Sequence, residues 1–285
     1  MIKVTECPRD AMQGIKQQIP SDLKAEYINQ LLKVGFDTID FGSFVSPKSI
    51  PQMQDTASVL GKLDLSGTKS KLLAIIANAR GAENACDFDE ITYLGFPFSI
   101  SETFQQRNTN ASITESLKRV EEIQALCQKN NKKLLVYISM AFGNPYGDAW
   151  NEGIAMDWCR KLNKLGIHHL ALADTTGSST PETITSLFSA LVPELKNVEL
   201  GAHLHSTQEK SAEKIKAAYA SGCRSFDVAI HGFGGCPMAA DDLTGNIATE
   251  NLEIFVSDNQ LDWRLDQKEL YKAYEASWKI FNNFH

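Results

Sequence analysis

Short apolar segments alternate with longer amphipathic segments along almost the whole chain. The short segments are rich in β-branched residues, as strands are, whereas the long ones place apolar residues at helical spacing. Strands are predicted at residues 3–6, 38–42, 72–77, 90–95, 134–139, 169–173, 198–203 and 225–230. Helices are predicted near 21–34, 52–62, 80–86, 112–130, 150–164, 181–193, 207–221 and 249–256, with Ser21, Ser112 and Thr180 at three of their starts. Eight strand–helix repeats predict an α/β fold of the (β/α)8 barrel class.

The final segment, 261–285, also has a helical pattern. Its apolar and aromatic residues Leu270, Tyr271, Tyr274, Trp278 and Phe281 recur at helical spacing, which predicts a helical extension packed on the barrel. No linker rich in proline, glycine or serine interrupts the chain, so residues 1–285 are expected to form a single domain. An open doubly wound sheet is the rival fold. Such a sheet usually has a glycine-rich phosphate loop after its first strand, where this chain has Cys7-Pro8-Arg9-Asp10.

Composition narrows the class of protein. The chain is 43% hydrophobic and 22% charged, as soluble globular proteins are. A net charge of −7 without a cluster of lysine and arginine argues against a nucleic-acid partner. No apolar run has the length of a membrane span, and the strand pattern begins at Ile2, so we expect a cytoplasmic protein with no membrane partner. The six cysteines lack CxxC spacing, which predicts free thiols.

Polar side chains stand at the predicted C-terminal ends of most strands, where barrels of this class carry their chemistry. His203 and His205 are two residues apart and therefore leave a strand on one face, able to point at one metal ion. In isolation, such a pair is more often an ordinary strand end, and a single aspartate there often caps the next helix. The full set of strand-end residues is Arg9, Asp10, Asp40, Ser43, Asn78, Ser139, Asp174, Thr175, His203, His205 and, after strand eight, Cys236 and Asn246.

Several separated blocks of the sequence resemble one family of barrel enzymes, the 3-hydroxy-3-methylglutaryl-CoA (HMG-CoA) lyases. The blocks are residues 6–10 with Gln13, 43–48 with 51–53, 174–175, 203–205, 233–237 and 245–250. The resemblance covers almost the whole chain and keeps the order of the blocks.

The resemblance implies a divalent cation bound by Asp10, His203, His205 and Asn246. One carboxylate, two imidazoles and one amide oxygen suit Mg²⁺ or Mn²⁺ with room for substrate oxygens, and the imidazoles leave Co²⁺ and Zn²⁺ open. A closed zinc site would usually include thiolate ligands.

The implied reaction is the retro-Claisen cleavage of HMG-CoA, an acyl-CoA substrate, to acetyl-CoA and acetoacetate. The cation makes the 3-hydroxyl more acidic, His203 or Asp10 takes its proton, and Arg9 faces the thioester oxygen. Cys236 follows a Gly-Gly pair and is expected to protonate the acetyl-CoA carbanion, although a buried structural thiol is the alternative. The catalytic set is Arg9, Asp10, Asp40, Asp174, His203 and Cys236, and the substrate contacts are Arg9, Gln13, Ser43, Asn78, Ser139 and Thr175.

The sequence departs from the family pattern at four places. Asp40 replaces the usual glutamate, so it must reach Arg9 from a different backbone position or through water. Cys7 and Ala11 stand where glycines are usual, residues 206–209 replace an Asp-Thr-Tyr-Gly-like run, and the segment 238–244 is one residue longer.

These departures leave alternatives open. The protein could cleave a related 3-hydroxyacyl-CoA or condense acetyl-CoA with a 2-oxo acid, as isopropylmalate and homocitrate synthases do. A barrel that binds metal and acyl-CoA without catalysis is an alternative of another class. The aromatic-rich end (Trp263, Tyr271, Tyr274, Trp278 and Phe281) also suggests a homodimer interface.

Overall fold

Eight parallel strands close into a barrel in the computed structural model, which describes residues 1–235 and 244–284. The strands are Lys3–Glu6 (β1), Thr38–Ser43 (β2), Lys71–Ile75 (β3), Ile91–Ser99 (β4), Lys133–Ser139 (β5), His169–Asp174 (β6), Glu199–Leu204 (β7) and Ser225–Val228 (β8). Each strand pairs with the next along the chain, and β8 pairs with β1. The predicted (β/α)8 class is therefore confirmed, and every predicted strand lies in its expected place with small changes at the ends.

Helices surround the barrel. They are Pro8–Gln13 (α1), Ser21–Val34 (α2), Thr56–Leu60 (α3), Ala79–Cys86 (α4), Glu102–Thr109 (α5), Ile113–Lys129 (α6), Glu152–Lys164 (α7), Pro181–Glu194 (α8), Gln208–Ala220 (α9), Thr249–Asp258 (α10) and Gln267–Phe281 (α11). The single helix predicted near 52–62 was wrong, because a 3₁₀ turn at Pro51–Met53 precedes the short α3. Helices α1 and α5 were not predicted, since neither short segment has a continuous apolar stripe.

Helix starts follow local side-chain chemistry. Ser112 accepts a hydrogen bond from the backbone N–H of Glu115, whose carboxylate accepts one in return, and this capping box begins α6. Thr180 begins α8 in the same way with Thr183. Ser21 is instead the first helical residue of α2, and its hydroxyl donates to Asp55 over 2.6 Å.

The apolar residues form two cores. The larger lies between the strands and the helices, as it does in barrels of this class. The smaller is centred on Leu73, Ile75, Tyr137 and Ala171. These four occupy alternate positions on β3, β5 and β6, which places them inside the barrel.

A bulge in β2 lies beside the expected site. The register between β2 and β3 shifts between Asp40 and Gly42. A Cβ at Gly42 would lie 2.5 Å from Cγ2 of Thr56, so only glycine allows this close approach. The Thr56 hydroxyl accepts a hydrogen bond from the backbone N–H of Ser43 over 2.9 Å and fixes the strand just after the bulge.

The C-terminal helix α11 packs against α2. The rings of Tyr27 and Phe281 meet edge to face at 6.3 Å, and the side chain of Gln30 donates to the backbone carbonyl of Glu269 over 2.9 Å. Tyr271 remains 65% exposed and Trp278 43% exposed. The aromatic stripe seen in the sequence is therefore only partly used within the chain.

We find no helix among residues 1–235 and 244–284 with the length and apolar character that crossing a bilayer requires.

The buried carboxyl of Glu6 joins β1 to the segment that follows β8. It accepts hydrogen bonds from the backbone N–H of Ile230 over 2.8 Å and from the Thr249 hydroxyl over 2.7 Å. Burial raises the pKa of Glu6 from its ordinary 4.5 to about 8, although these two hydrogen bonds oppose the change.

The raised pKa makes the stability of the fold depend on pH. Between about pH 5 and pH 8 the folded protein keeps the Glu6 proton and the unfolded chain loses it, so stability falls as the pH rises through this window. Glu6→Gln removes the charge; its carbonyl oxygen can still accept from the backbone N–H of Ile230, and its amide can donate to the Thr249 hydroxyl oxygen. We expect the wild type to lose about 2 kcal/mol relative to this variant between roughly pH 6 and pH 8, at about 1.4 kcal/mol per pH unit. Urea unfolding of both proteins at several pH values measures the difference, and parallel pH profiles would contradict the assignment.

Candidate active site

The site is assembled at the C-terminal ends of β1, β2 and β7. Arg9 and Asp10 lie on α1, which begins at Pro8 immediately after β1, because proline is well tolerated at the first helical position. Asp40 lies in β2 and His203 in β7, and His205 follows the end of β7. Asn246 pairs with His205 in an isolated antiparallel bridge, so the segment after β8 is fastened beside the histidines.

The Arg9 guanidinium is buried between two carboxylates. Its Nε donates to both carboxylate oxygens of Asp40, over 3.2 and 3.0 Å, and its Nη2 also contacts Asp40. Its Nη1 donates to Asp10 over 3.0 Å and to Gln13 over 2.9 Å. Gln13 in turn donates to Asp10 over 2.6 Å. The hydrogen bonds on both sides of the guanidinium fix its plane and its position.

Burial and the neighbouring opposite charges shift the pKa values of Asp10, Asp40 and Arg9 in opposite directions. Burial would raise the pKa of Asp10, but Arg9 and the two histidines lower it to about 2. At Asp40 burial dominates and raises the pKa to about 6 despite the contact with Arg9. Burial lowers the pKa of Arg9, whereas Asp40 and Asp10 together raise it above its ordinary value. Arg9 is therefore a permanent positive charge, and Asp10 is an anion at neutral pH.

The ring of His203 contacts Asp227, a residue that the sequence analysis did not identify. Its Nδ1 lies 3.1 Å from Oδ2 of Asp227, an interior residue of β8. Burial lowers the pKa of His203, but the hydrogen bond and charge of Asp227 reverse this and raise it. The signal in the sequence was an aspartate in an otherwise apolar strand, at a position that was not a strand end.

His205 and Asn246 carry buried polar atoms that lack partners. Within the described part of the chain, the two ring nitrogens of His205 have no hydrogen bond of normal geometry. The side-chain oxygen of Asn246 has none either. The Asn246 amide donates instead to Asp10 over 2.6 Å and to the carbonyl of Phe233 over 2.9 Å. Burial and the neighbouring His203 lower the pKa of His205 to about 4, so its ring is neutral and has a free lone pair at neutral pH. Atoms of this kind are costly to bury unless something binds them.

The donor atoms fit a cation. Ligand atoms of Asp10, His203 and His205 all lie within 4.8 Å of one another. The unpartnered Asn246 oxygen adds a fourth donor beside Asp10. A carboxylate, two imidazoles and an amide oxygen form a donor set for a divalent ion, and the orphaned nitrogens and oxygen are what such an ion would satisfy.

The glycine-rich loop after β8 passes directly over these ligands. At Gly234 the backbone has φ +103°, and a Cβ there would lie 2.6 Å from Nδ2 of Asn246 and 2.9 Å from the carbonyl oxygen of Asp10. A side chain at this position would push the loop off the site. Cys236 follows two residues later, and it lies outside the described residues.

Asp174 is bound to Lys214 rather than to the arginine cluster. The two buried side chains form an ion pair of 2.8 Å, and Asp174 also accepts a hydrogen bond from the backbone N–H of Ser179. Lys214 donates further to the carbonyls of His205 over 2.8 Å and Gly177 over 3.0 Å. Within the described residues, no hydrogen bond or ion pair joins Asp174 to Arg9 or Asp10. Its observed contacts support the backbone that carries His205.

The remaining predicted substrate contacts bond to nearby backbone rather than to the cluster around Arg9. Asn78 caps α4 by accepting from the backbone N–H of Gly81 over 2.9 Å. The Ser43 hydroxyl donates to the carbonyl of Ile75, the Thr175 hydroxyl accepts from the backbone N–H of Met140, and Ser139 is buried at the end of β5. They stand at the mouth of the barrel, apart from the hydrogen-bonded cluster around Arg9.

The shorter acid at position 40 reaches Arg9 directly. The side chains touch without an intervening water, and the bulge in β2 begins at Asp40 itself. Of the two routes expected from the sequence, the direct contact excludes the one through water.

Comparison with known proteins places the chain. The HMGL-like family model matches residues 2–276. The "3-hydroxy-3-methylglutaryl-CoA lyase, cytoplasmic" of Rattus norvegicus is 32% identical, over 99% of this chain and 81% of its own length. A Pseudomonas aeruginosa protein, "3-hydroxy-3-isohexenylglutaryl-CoA/hydroxy-methylglutaryl-CoA lyase", is 33% identical over 93% of this chain and 88% of its own.

Solved structures agree in fold over the whole chain. An HMG-CoA lyase from A. baumannii, in complex with coenzyme A and 3-methylmalate, superposes with a TM-score of 0.89 at 30% identity and covers 98% of this chain and 90% of its own. The HMG-CoA lyase of Brucella melitensis gives a TM-score of 0.90 at 26% identity, covering 99% of both chains. With the family match over almost its full length and relatives about 32% identical over nearly all of it, the chain belongs to the HMGL-like family.

Proposed function

We propose that this protein is a lyase that cleaves HMG-CoA to acetyl-CoA and acetoacetate by a cation-assisted retro-Claisen reaction. The observation that carries the proposal is the cluster of Arg9, Asp10, His203, His205 and Asn246 at the mouth of a barrel of the HMGL-like family. The named relatives are lyases of this substrate class. A condensing enzyme or a non-catalytic barrel is less well supported, because the full charged set is assembled and the relatives are named for cleavage.

The cation would be held by Asp10, His203, His205 and Asn246. The unpartnered atoms of His205 and Asn246 support this set, and its mixture of oxygen and nitrogen donors favours Mg²⁺ or Mn²⁺, with Co²⁺ or Zn²⁺ as alternatives. When bound, such an ion supplies Lewis acidity that makes a coordinated tertiary hydroxyl easier to deprotonate.

Arg9 provides the fixed positive charge for the thioester oxygen. Cleavage of the C2–C3 bond leaves an enolate, and a donor already in place lowers the free energy of that charge in the transition state. Asp40 accepts hydrogen bonds from one side of the guanidinium, so the position of the positive charge stays fixed during the reaction. Removing one donor of this kind typically costs on the order of 10²–10³ in rate.

His203 and Asp10 both lie where a base is needed for the hydroxyl proton. A carboxyl group whose pKa is about 2 is a weak base, whereas the raised pKa of His203 makes its ring the better proton acceptor. Because Nδ1 of His203 faces Asp227, the same nitrogen, Nε2, would serve either as ligand or as base at a given moment.

Cys236 is the proposed acid that returns a proton to the acetyl-CoA carbon. The support is the position of Gly234, which brings the loop against Asp10 and Asn246 two residues before the thiol. Asp174 is proposed to support the site through Lys214. The residues Gln13, Ser43, Asn78, Ser139 and Thr175 remain proposed substrate contacts.

The wider assignments follow the relatives. We propose a single domain over residues 1–285, an acyl-CoA substrate, as coenzyme A in the A. baumannii structure suggests, and a cytoplasmic location, as in the name of the rat relative. The exposed Tyr271 and Trp278 are consistent with a homodimer.

The proposed activity is tested with purified protein, HMG-CoA and either Mg²⁺ or Mn²⁺. We expect acetoacetate and acetyl-CoA in equal amounts, and no product in the presence of a chelator. Longer 3-hydroxy-3-alkylglutaryl-CoA substrates and a mixture of acetyl-CoA with a 2-oxo acid are assayed in parallel. Condensation without cleavage would contradict the lyase assignment, and tight acyl-CoA binding without turnover would favour the non-catalytic alternative.

His205→Ala tests the cation ligands. The variant should lose Mn²⁺ binding and turnover together, since one of four donors is gone and its neighbours were arranged around the ion. Calorimetric titration with Mn²⁺ measures the first effect and acetoacetate formation the second. His168→Ala, at the opposite end of the barrel, is the matched control and should behave as wild type. Full stoichiometric Mn²⁺ binding by His205→Ala would show that the ligand set is wrong.

Cys236→Ala tests the acid. Turnover should fall by on the order of 10²–10⁴, the usual contribution of a positioned acid or base, while Mn²⁺ affinity stays at the wild-type value. Cys86→Ala removes a half-buried thiol on α4, far from the chemistry, and serves as the control. Unchanged turnover in Cys236→Ala would show that Cys236 is not the acid and favour the alternative of a structural thiol.

A further inference from the structure

Asp227 has a single hydrogen-bond partner among the described residues, and that partner is His203. The carboxylate is buried inside the barrel on β8, with Oδ2 at 3.1 Å from Nδ1 of the imidazole. No lysine or arginine pairs with it within the described chain. A buried carboxylate bound only to one histidine has little value for stability, since its desolvation is not repaid by an ion pair.

Two neighbouring rings pack against the imidazole of His203. Tyr137 meets it edge to face, with ring centroids 5.3 Å apart, and His205 lies beside it at 5.2 Å. The Cys7 thiol faces the same space, but it donates to the carbonyl of Thr5 over 3.7 Å and does not take the carboxylate. Because Nδ1 faces Asp227, Nε2 is the ring nitrogen left to act toward Asp10 and the other proposed cation ligands.

A small cavity with a mixed polar and apolar lining lies beside the carboxylate at the floor of the barrel. A cavity of about 30 Å³ is lined by Asp227, Thr5, Thr38, Ser225 and Gly201 among others. Such a space is large enough for a water molecule with several polar partners. Bulky aliphatic residues usually fill this layer of a barrel. Here Thr5, Thr38, Gly201 and Ser225 leave that space open, although the larger Tyr93, Leu135, His169 and Leu170 also line it.

We propose that Asp227 is a positioning residue that fixes the tautomer and the orientation of the His203 ring, so that Nε2 presents its lone pair to the site. The proposal rests on the proposed function in that His203 is taken to act toward a cation or the substrate hydroxyl. A carboxylate behind a ligating histidine aligns the ring and increases its basicity, and losing it typically costs 10–100-fold in metal affinity or activity.

Asp227→Asn is the first test, because it keeps the shape and removes the charge. The asparagine amide can donate to Nδ1, which would move the ring proton to Nε2 and block the lone pair. In metal-free protein with ¹⁵N-labelled histidine, at a pH high enough for the His203 ring to be neutral, NMR should show its single proton on Nδ1 in the wild type and on Nε2 in the variant. Mn²⁺ affinity should fall by roughly 10–100-fold, and kcat should fall while KM for HMG-CoA changes little.

Asp227→Ala and Ser225→Ala complete the experiment. The alanine variant removes the partner without offering a donor, so both tautomers should be populated and Mn²⁺ affinity should again fall. Ser225→Ala alters the same strand and the same cavity without touching His203, and it should match the wild type in every measurement. Near-ultraviolet circular dichroism verifies that each variant is folded.

The NMR result separates the two proposals. A tautomer shift in metal-free Asp227→Asn supports positioning even if the wild-type protein bound no Mn²⁺, and that absence would contradict the proposed function alone. Wild-type ring signals and wild-type Mn²⁺ affinity in both Asp227 variants would overturn the role of Asp227.

Discussion

The site depends on one buried cation, the guanidinium of Arg9, fixed between Asp40 and Asp10. Three ionised groups inside a protein are expensive to desolvate, and a buried ion pair rarely adds net stability over apolar packing. The arrangement is therefore better understood as a means of holding charge in position. Every other feature of the mouth fits around it: Gln13 completes the hydrogen bonds of Asp10, and Asn246 binds the opposite carboxylate oxygen of Asp10.

This constraint explains local backbone choices that stability alone does not require. The bulge in β2 begins at Asp40, which contacts Arg9 directly, and Gly42 is needed so that the bulged strand can pass Thr56. Gly234 serves the same end across the mouth, since any side chain there would collide with Asn246. Asp40 and the loop at Gly234 thus lie on two sides of the group formed by Arg9 and Asp10.

The apolar periodicity of the sequence predicted the barrel, and the strand-end positions and the family resemblance together named six residues that lie close to one another at its mouth: Arg9, Asp10, Asp40, His203, His205 and Asn246. Periodicity identified β1–β8 because each strand is buried and apolar, and most helices have a continuous apolar stripe. Helix α5 escaped prediction because only Phe104 and Gln105 are buried in it, so the signal was too short. Asp227 and Lys214 escaped for another reason: their roles arise from contacts across the barrel, and a strand-interior aspartate or a helix lysine has no local pattern that reveals a distant partner.

Lys214 gives the mouth of the barrel a property that concerns folding rather than chemistry. Lys214 lies on α9, which follows all three of its partners in the sequence. Its ammonium binds Asp174 at the end of β6, the carbonyl of Gly177 in the next loop and the carbonyl of His205 after β7. A folding chain that had docked α9 without these partners would bury an uncompensated charge, at a cost of roughly 3–5 kcal/mol. Partly assembled forms of this third of the barrel are thereby disfavoured, and the backbone of His205 is set in place as the protein folds. The hydrogen bond from Lys214 thus fixes the backbone of His205 through groups of the protein itself.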